Sequence, residues 1–169
     1  MAMTIGLFRK TTSFGELLWL WLVCFIGNWV GSLLVAVLFF YSGLVTGNIA
    51  DFIGSVSAMK MNLPFSELII RGILCNTLVC LAVWSSYRVK SDSGKLIMIF
   101  WCLFAFITTG FEHSVANMSL LSVGLIGHLH SGVSLGGYFY NILTVSLGNI
   151  IGAVVLVALP YLAISRSSE

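Results

Sequence analysis

GFEHSVANM, residues 110–118, places a glutamate, a histidine and an asparagine between LIMIFWCLFAFITT and SLLSVGLIG, two stretches without a charge. With these flanks, 96–127 reads as one hydrocarbon-length helix broken near its middle. Backbone that leaves helical geometry at membrane depth is tolerated only when buried in protein or lining a watery cavity. An ionisable residue there marks a functional site by default. The half-helix after the break offers N–H groups and a positive dipole end to an anion. His113 adds a group whose charge changes near neutral pH, and Glu112 beside it favours the protonated ring if the two meet. Glu112 reads first as a tie for loop N–H groups, His113 as the functional residue. The segment is an anion site with a protonatable donor at mid-membrane.

The rest of the chain supports a membrane setting. Of 169 residues, 59% are hydrophobic and only 8% charged, against about 25% charged in a soluble domain. The class is an all-α polytopic membrane protein, because the apolar runs are continuous and lack the alternation of barrel strands. The eight basic residues are too few and too scattered for the net charge of +2 to point to nucleic acid, and no nucleic-acid partner is expected. Met1–Lys10 lacks the basic start and cleavable small-residue site of a signal peptide. Cys24, Cys75, Cys80 and Cys102 all fall in apolar runs and read as small packing residues. His128 and His130 have no third ligand nearby and read as polar loop residues, so neither metal nor cofactor is expected. Ser114 follows His113, but no G-x-S-x-G elbow or H-E-x-x-H is present, and the chain reads as a non-enzyme.

A spanning helix needs about 20 apolar residues. Leu17–Phe40 makes one span, and the polar SGLVTGNIADFIGSVSAMKMNLP of 42–64 reads as a connection, with Pro64 opening the next helix. Further spans cover 65–87, the broken 96–127 and 138–164. If the spans alternate, Arg9, Lys10, Arg88, Lys90, Lys95 and Arg166 share one side, and Lys60 and Arg71 the other. The positive-inside rule then puts the C-terminus in the cytoplasm of a multi-pass protein of the cell membrane.

GNWVGSLLVAVL at 27–38 is echoed by GNIIGAVVLVAL at 148–159. Gly27, Asn28 and Gly31 match Gly148, Asn149 and Gly152 in register, on spans that run in opposite directions. Small residues let helices approach closely, and oppositely oriented copies are how many transport proteins are built, with the site between them. Residues 1–169 form a single transmembrane domain. Its second repeat is 65–164 (span, broken helix, span), and 1–42 is the remainder of a first repeat, a half-helix plus one span. The first repeat is incomplete, so the chain is expected to be N-terminally short.

GFEHSVANM, LGNIIG at 147–152 and LCNTLVCLAVW at 74–84 resemble the formate/nitrite transporter family over essentially the whole chain. The resemblance implies a homopentamer in the lipid bilayer, each protomer an aquaporin-like bundle of six helices in two inverted repeats with its own pore. It implies passage of small monovalent anions (formate, nitrite or hydrosulfide), channel-like or with protons. By the same resemblance His113 matches the central pore histidine. Asn76 and Asn117, with Lys60, match an electropositive polar cluster, and Phe106 and Val79 match apolar constrictions on the two sides of the histidine. A dry constriction penalises a bare ion more than a neutral acid, and an outer lysine steers anions. The segment MAMTIGLF matches the inner half of the family's second helix. The first helix, the first half of the second and a threonine-bearing loop have no counterpart, which leaves a truncated, non-transporting member as the alternative. The short outer connection GHLHSGVSLGGYFYN looks more like nitrite-type than formate-type members.

Overall fold

A computed structural model describes residues 1–166. The helices are α1 (Ala2–Phe8), α2 (Phe14–Tyr41), α3 (Gly47–Met61), α4 (Phe65–Arg88), α5 (Asp92–Thr108), α6 (Ser114–Ile126), α7 (Leu135–Ile151) and α8 (Leu159–Arg166). A π-helical stretch, Gly152–Ala158, joins α7 to α8 without a break. No strand occurs among the described residues.

Local chemistry sets several helix starts. Ser13 and Glu16 form a capping box on α2: the Ser13 N–H donates to Glu16 Oε2 at 2.8 Å, and the Glu16 N–H donates to Ser13 Oγ at 3.2 Å. Ser91 and Ser134 cap α5 and α7 by accepting from the N–H groups of Gly94 and Gly137. α4 begins directly after Pro64. Pro160 lacks the N–H that would bond the Leu156 carbonyl, and the chain widens into π geometry just ahead of it.

α2, α4 and the continuous helix Leu135–Ser165 are each long and apolar enough to cross a membrane. α5 and α6 share a further crossing. α6 has 13 residues, roughly 20 Å of helix, and does not span alone. Much of the apolar surface points outward, including Trp19, Leu34, Leu38, Leu96 and Ile97, as contact with lipid requires.

The connection expected over 42–64 is corrected by the structure, because most of it is the 15-residue α3. Gly47 and Gly54 and a weak apolar content hide it. Its buried positions, Ile53, Gly54, Ser57, Ala58 and Met61, recur every three or four residues. They lie against the turn after α6: a Cβ on Gly54 would stand 2.6 Å from the Leu129 carbonyl oxygen, and one on Gly124 2.6 Å from Ser57 Oγ. α3 carries Lys60, so this helix positions a site residue.

α4 packs chiefly along α7 and α2 along α6. Met61, Met118, Leu121, Tyr138 and Ile142 form the largest buried cluster, and the Trp29 indole N–H donates to Tyr138 Oη at 2.9 Å beside it. The α4/α7 contact is backbone against backbone. A Cβ at Gly148 would meet the Ile69 carbonyl oxygen at 2.6 Å, and one at Gly72 the Val145 carbonyl oxygen at 3.0 Å. Gly27 and Gly31 have no neighbour within 4 Å of such a Cβ, and Asn28 is exposed. The two Gly-Asn-x-x-Gly sequences therefore meet different surroundings in this chain. Gly148→Ala is expected to cost about 1–3 kcal/mol, because the opposing atom is backbone and cannot rotate away. Gly31→Ala is expected to stay within about 0.5 kcal/mol. Thermal melting of both in detergent checks the contrast.

Candidate anion pathway around His113

α5 ends at Thr108, and Gly110, at φ +73°, turns the chain through the left-handed region open to glycine. Phe111 and Glu112 follow without helical geometry, and His113 is the N-cap of α6. The Glu112 N–H reaches the Arg71 carbonyl at 3.4 Å, tying the break to α4.

The Glu112 side chain is 1% exposed and holds a closed circuit. Lys60 Nζ donates to its Oε1 at 2.6 Å, and Asn117 Nδ2 donates to its Oε2. Asn117 Nδ2 also donates to Asn141 Oδ1 at 2.9 Å, and Asn141 Nδ2 returns to the Lys60 carbonyl at 2.9 Å. One carboxylate thereby joins α3, α6 and α7. A buried ion pair survives desolvation only with such added hydrogen bonds.

Asn149 completes the break from the other side. Its Oδ1 accepts from the Ser114 N–H at 3.1 Å and the Ser114 hydroxyl at 3.0 Å, while its Nδ2 donates to the Gly72 and Glu112 carbonyls at 2.9 and 3.0 Å. Asn76 Nδ2 donates to the Asn149 carbonyl at 2.7 Å. One asparagine thus satisfies the Glu112 carbonyl of the break, the N–H and hydroxyl of Ser114 at the start of α6, and the Gly72 carbonyl within α4, and at membrane depth the break needs such partners.

The His113 Nδ1 accepts from the Ala116 N–H at 3.4 Å. A neutral ring that accepts at Nδ1 carries its proton on Nε2, so a donor remains on the other ring nitrogen. The ring lies stacked near Phe106, with centroids 5.7 Å apart and planes 26° from parallel. Both line an open cavity of about 380 Å³, together with Lys60, Arg71, Glu112 and Asn117. Each cation there has a carboxylate partner: Lys60 pairs with Glu112, and Arg71 Nη2 with Glu67 Oε2 at 2.7 Å.

The family model described as formate/nitrite transporter matches residues 1–163. The chain belongs to the formate/nitrite transporter family. It is 38% identical to the nitrite transporter NirC of Salmonella typhimurium, over 100% of this chain and 63% of that protein. A solved FNT family ion channel superposes with a TM-score of 0.89 at 39% identity, covering 95% of this chain and 65% of that one. A pentameric formate channel with formate bound superposes with a TM-score of 0.78 at 25% identity, covering 89% and 67%. The chain spans about three-fifths of the length of the curated relatives it matches, 63% and 60% for the first two. The all-helical architecture is that of the family's channels.

Of the residues expected at the site, His113, Glu112, Asn117, Lys60 and Phe106 come together around the cavity. Asn76 lies one layer away on the Asn149 backbone, and Val79, one turn further along α4, is half-buried and does not line the cavity. Two expectations change. Two of the first-turn N–H groups of α6 are not open to an anion, because Ser114 and Ala116 spend theirs on Asn149 and His113. Lys60 is not a free outer charge, because Glu112 cancels much of its field. Ser114 directs its hydroxyl to Asn149 rather than to His113. Asn141, Arg71 and the bonding role of Asn149 escape sequence reading; the signal available was an asparagine inside an apolar span, at 141 as at 117.

Proposed function

We propose that this chain forms a pathway for small monovalent anions, formate or nitrite, across the cell membrane, with His113 as the donor that meets the anion. The observation that carries the reading is the His113 ring. It is held at a mid-span helix break by the Ala116 N–H, lies against Phe106, and borders an open cavity in which the cations are already paired. A dehydrated anion beside an apolar ring needs one charge-assisted hydrogen bond to offset lost water, and the imidazole supplies it. A proton passes to the anion there only after the ring takes up a second proton from water at Nδ1, giving up the Ala116 N–H. The imidazolium then gives its Nε2 proton to the anion and returns to the neutral ring, and the neutral acid meets a low barrier at an apolar constriction. Phe106 is the constriction residue on this side, with Val79 further along α4. Lys60, Glu112, Asn117 and Asn76 hold the break and set its local potential.

The names of the relatives, a nitrite transporter and a pentameric formate channel, support the same substrates and a homopentamer. The exposed apolar faces of α2 and α5 suit contacts with lipid and neighbouring copies. The basic residues favour a cytoplasmic C-terminus. The fold supports transport rather than catalysis, with 65–164 as one repeat and 1–42 as part of the other. Uptake of formate, nitrite and hydrosulfide into proteoliposomes holding the 169-residue chain tests the reading. Saturable or channel-like flux of at least one anion above empty vesicles is expected. Flux no faster than empty vesicles from a folded chain overturns it for this chain.

A further inference from the structure

The second cavity lies at the opposite end of the bundle from Lys60 and takes no part in the site around His113. It encloses about 300 Å³ between α1, the end of α4 and α8, and Arg9, Trp84, Tyr87, Arg88 and Tyr161 line it. The Arg88 guanidinium carbon stands 5.6 Å above the Trp84 ring. Arg9 Nη2 donates to Ser165 Oγ at 3.1 Å. Neither arginine forms an ion pair among the described residues. The Trp84 indole N–H is buried and has no hydrogen-bond partner among the described residues.

We propose that this cavity binds the headgroup phosphate of an anionic phospholipid. Arg88 is the last residue of the spanning helix α4, and Arg9 follows directly on α1. Both cations therefore sit at headgroup level, with a tryptophan and two tyrosines around them, the composition of a membrane interface. Basic pockets between spanning helices are where acidic headgroups are held. Two guanidiniums with no carboxylate partner among the described residues match a phosphate geometrically as well as in charge, and they repel the ammonium of a zwitterionic lipid. Tyr87 at the cavity is exposed, and α4 carries the exposed apolar Leu81 and Val83 close by, surface that acyl chains can cover, so a tethered phosphate is favoured over a soluble one. The inference uses the proposed orientation only to choose the leaflet, the cytoplasmic one, which carries anionic lipid.

Native mass spectrometry of the purified 169-residue chain in detergent tests it, with phosphatidylglycerol, phosphatidylcholine or inorganic phosphate added. Lipid is read rather than flux, so the outcome is independent of the anion pathway. Phosphatidylglycerol is expected to be retained in preference to phosphatidylcholine. Arg9→Gln/Arg88→Gln is expected to weaken retention about thirtyfold, as two basic contacts at a membrane surface imply. Lys90→Gln/Lys95→Gln, which removes equal charge, is expected to leave it unchanged. Equal retention of phosphatidylcholine overturns the proposal, as does an unchanged double arginine variant or an equal loss in the lysine control. Inorganic phosphate displacing the lipid adduct at millimolar levels overturns the lipid source in favour of a soluble anion.

Discussion

His113→Ala is expected to lower anion uptake into proteoliposomes by about tenfold to a hundredfold, the loss that goes with one hydrogen bond to a charged group. Helix content and melting should change little, because the ring is half-buried and its one bond to the protein is a 3.4 Å cap on the Ala116 N–H. His113→Asn separates donation from titration. Its amide offers a neutral donor near the same place but cannot change charge with pH. The ratio of parent to His113→Asn uptake should therefore vary with pH across the range in which imidazoles titrate. Taking the ratio removes the protonation of the anion itself, which both proteins share. A ratio that stays constant with pH would remove proton transfer from the proposed mechanism, leaving His113 as a donor alone. Unchanged uptake by His113→Ala would remove it altogether.

Breaking the Lys60–Glu112 pair on one side is expected to cost more stability than any other single change in the site. Glu112→Leu leaves an ammonium with a side chain 14% exposed and without its partner, and Lys60→Met leaves a carboxylate 1% exposed. Each should lose about 3–5 kcal/mol, the penalty of an uncompensated buried charge. The double variant Lys60→Met/Glu112→Leu should recover a large part of that loss, since no net charge stays buried. Its shortfall reports the bond from Asn117 to Glu112 Oε2 and the tie between α3 and α6. Melting in detergent followed by circular dichroism gives the cycle, and additive single losses would show that the two residues do not act as a pair. Transport should follow charge rather than stability. Lys60→Met leaves a negative site beside His113 and should slow anion entry more than the double variant does.

Much of the architecture is legible along the chain. The spans at Leu17–Phe40 and 65–87 stand within one to three residues of α2 and α4, because a continuous apolar run needs no partner to be recognised. The break is equally plain, since Gly110 and three polar residues cannot lie in hydrocarbon unless protein surrounds them. α3 is not legible, because its buried positions include Gly54, Ser57 and Ala58, small residues that signal nothing until the Leu129 carbonyl and Gly124 are found against them.

Sequence alone therefore determined the membrane class, the long apolar helices α2 and α4 and the break at 110–113, and it singled out His113 as the residue to test, all from composition and spacing within one window. Tertiary structure decided which polar groups remain available there. Lys60 meets Glu112 across 52 residues, and Asn149 meets Ser114 across 35. Those meetings depend on how α3 and α7 pack against α6, through glycines that close the gap between backbones. It also decided that Gly148 is packed while Gly31 lies open, although the two sequences around them read alike. A repeat in sequence carries the capacity for close packing, and only a neighbouring helix at contact distance makes use of it.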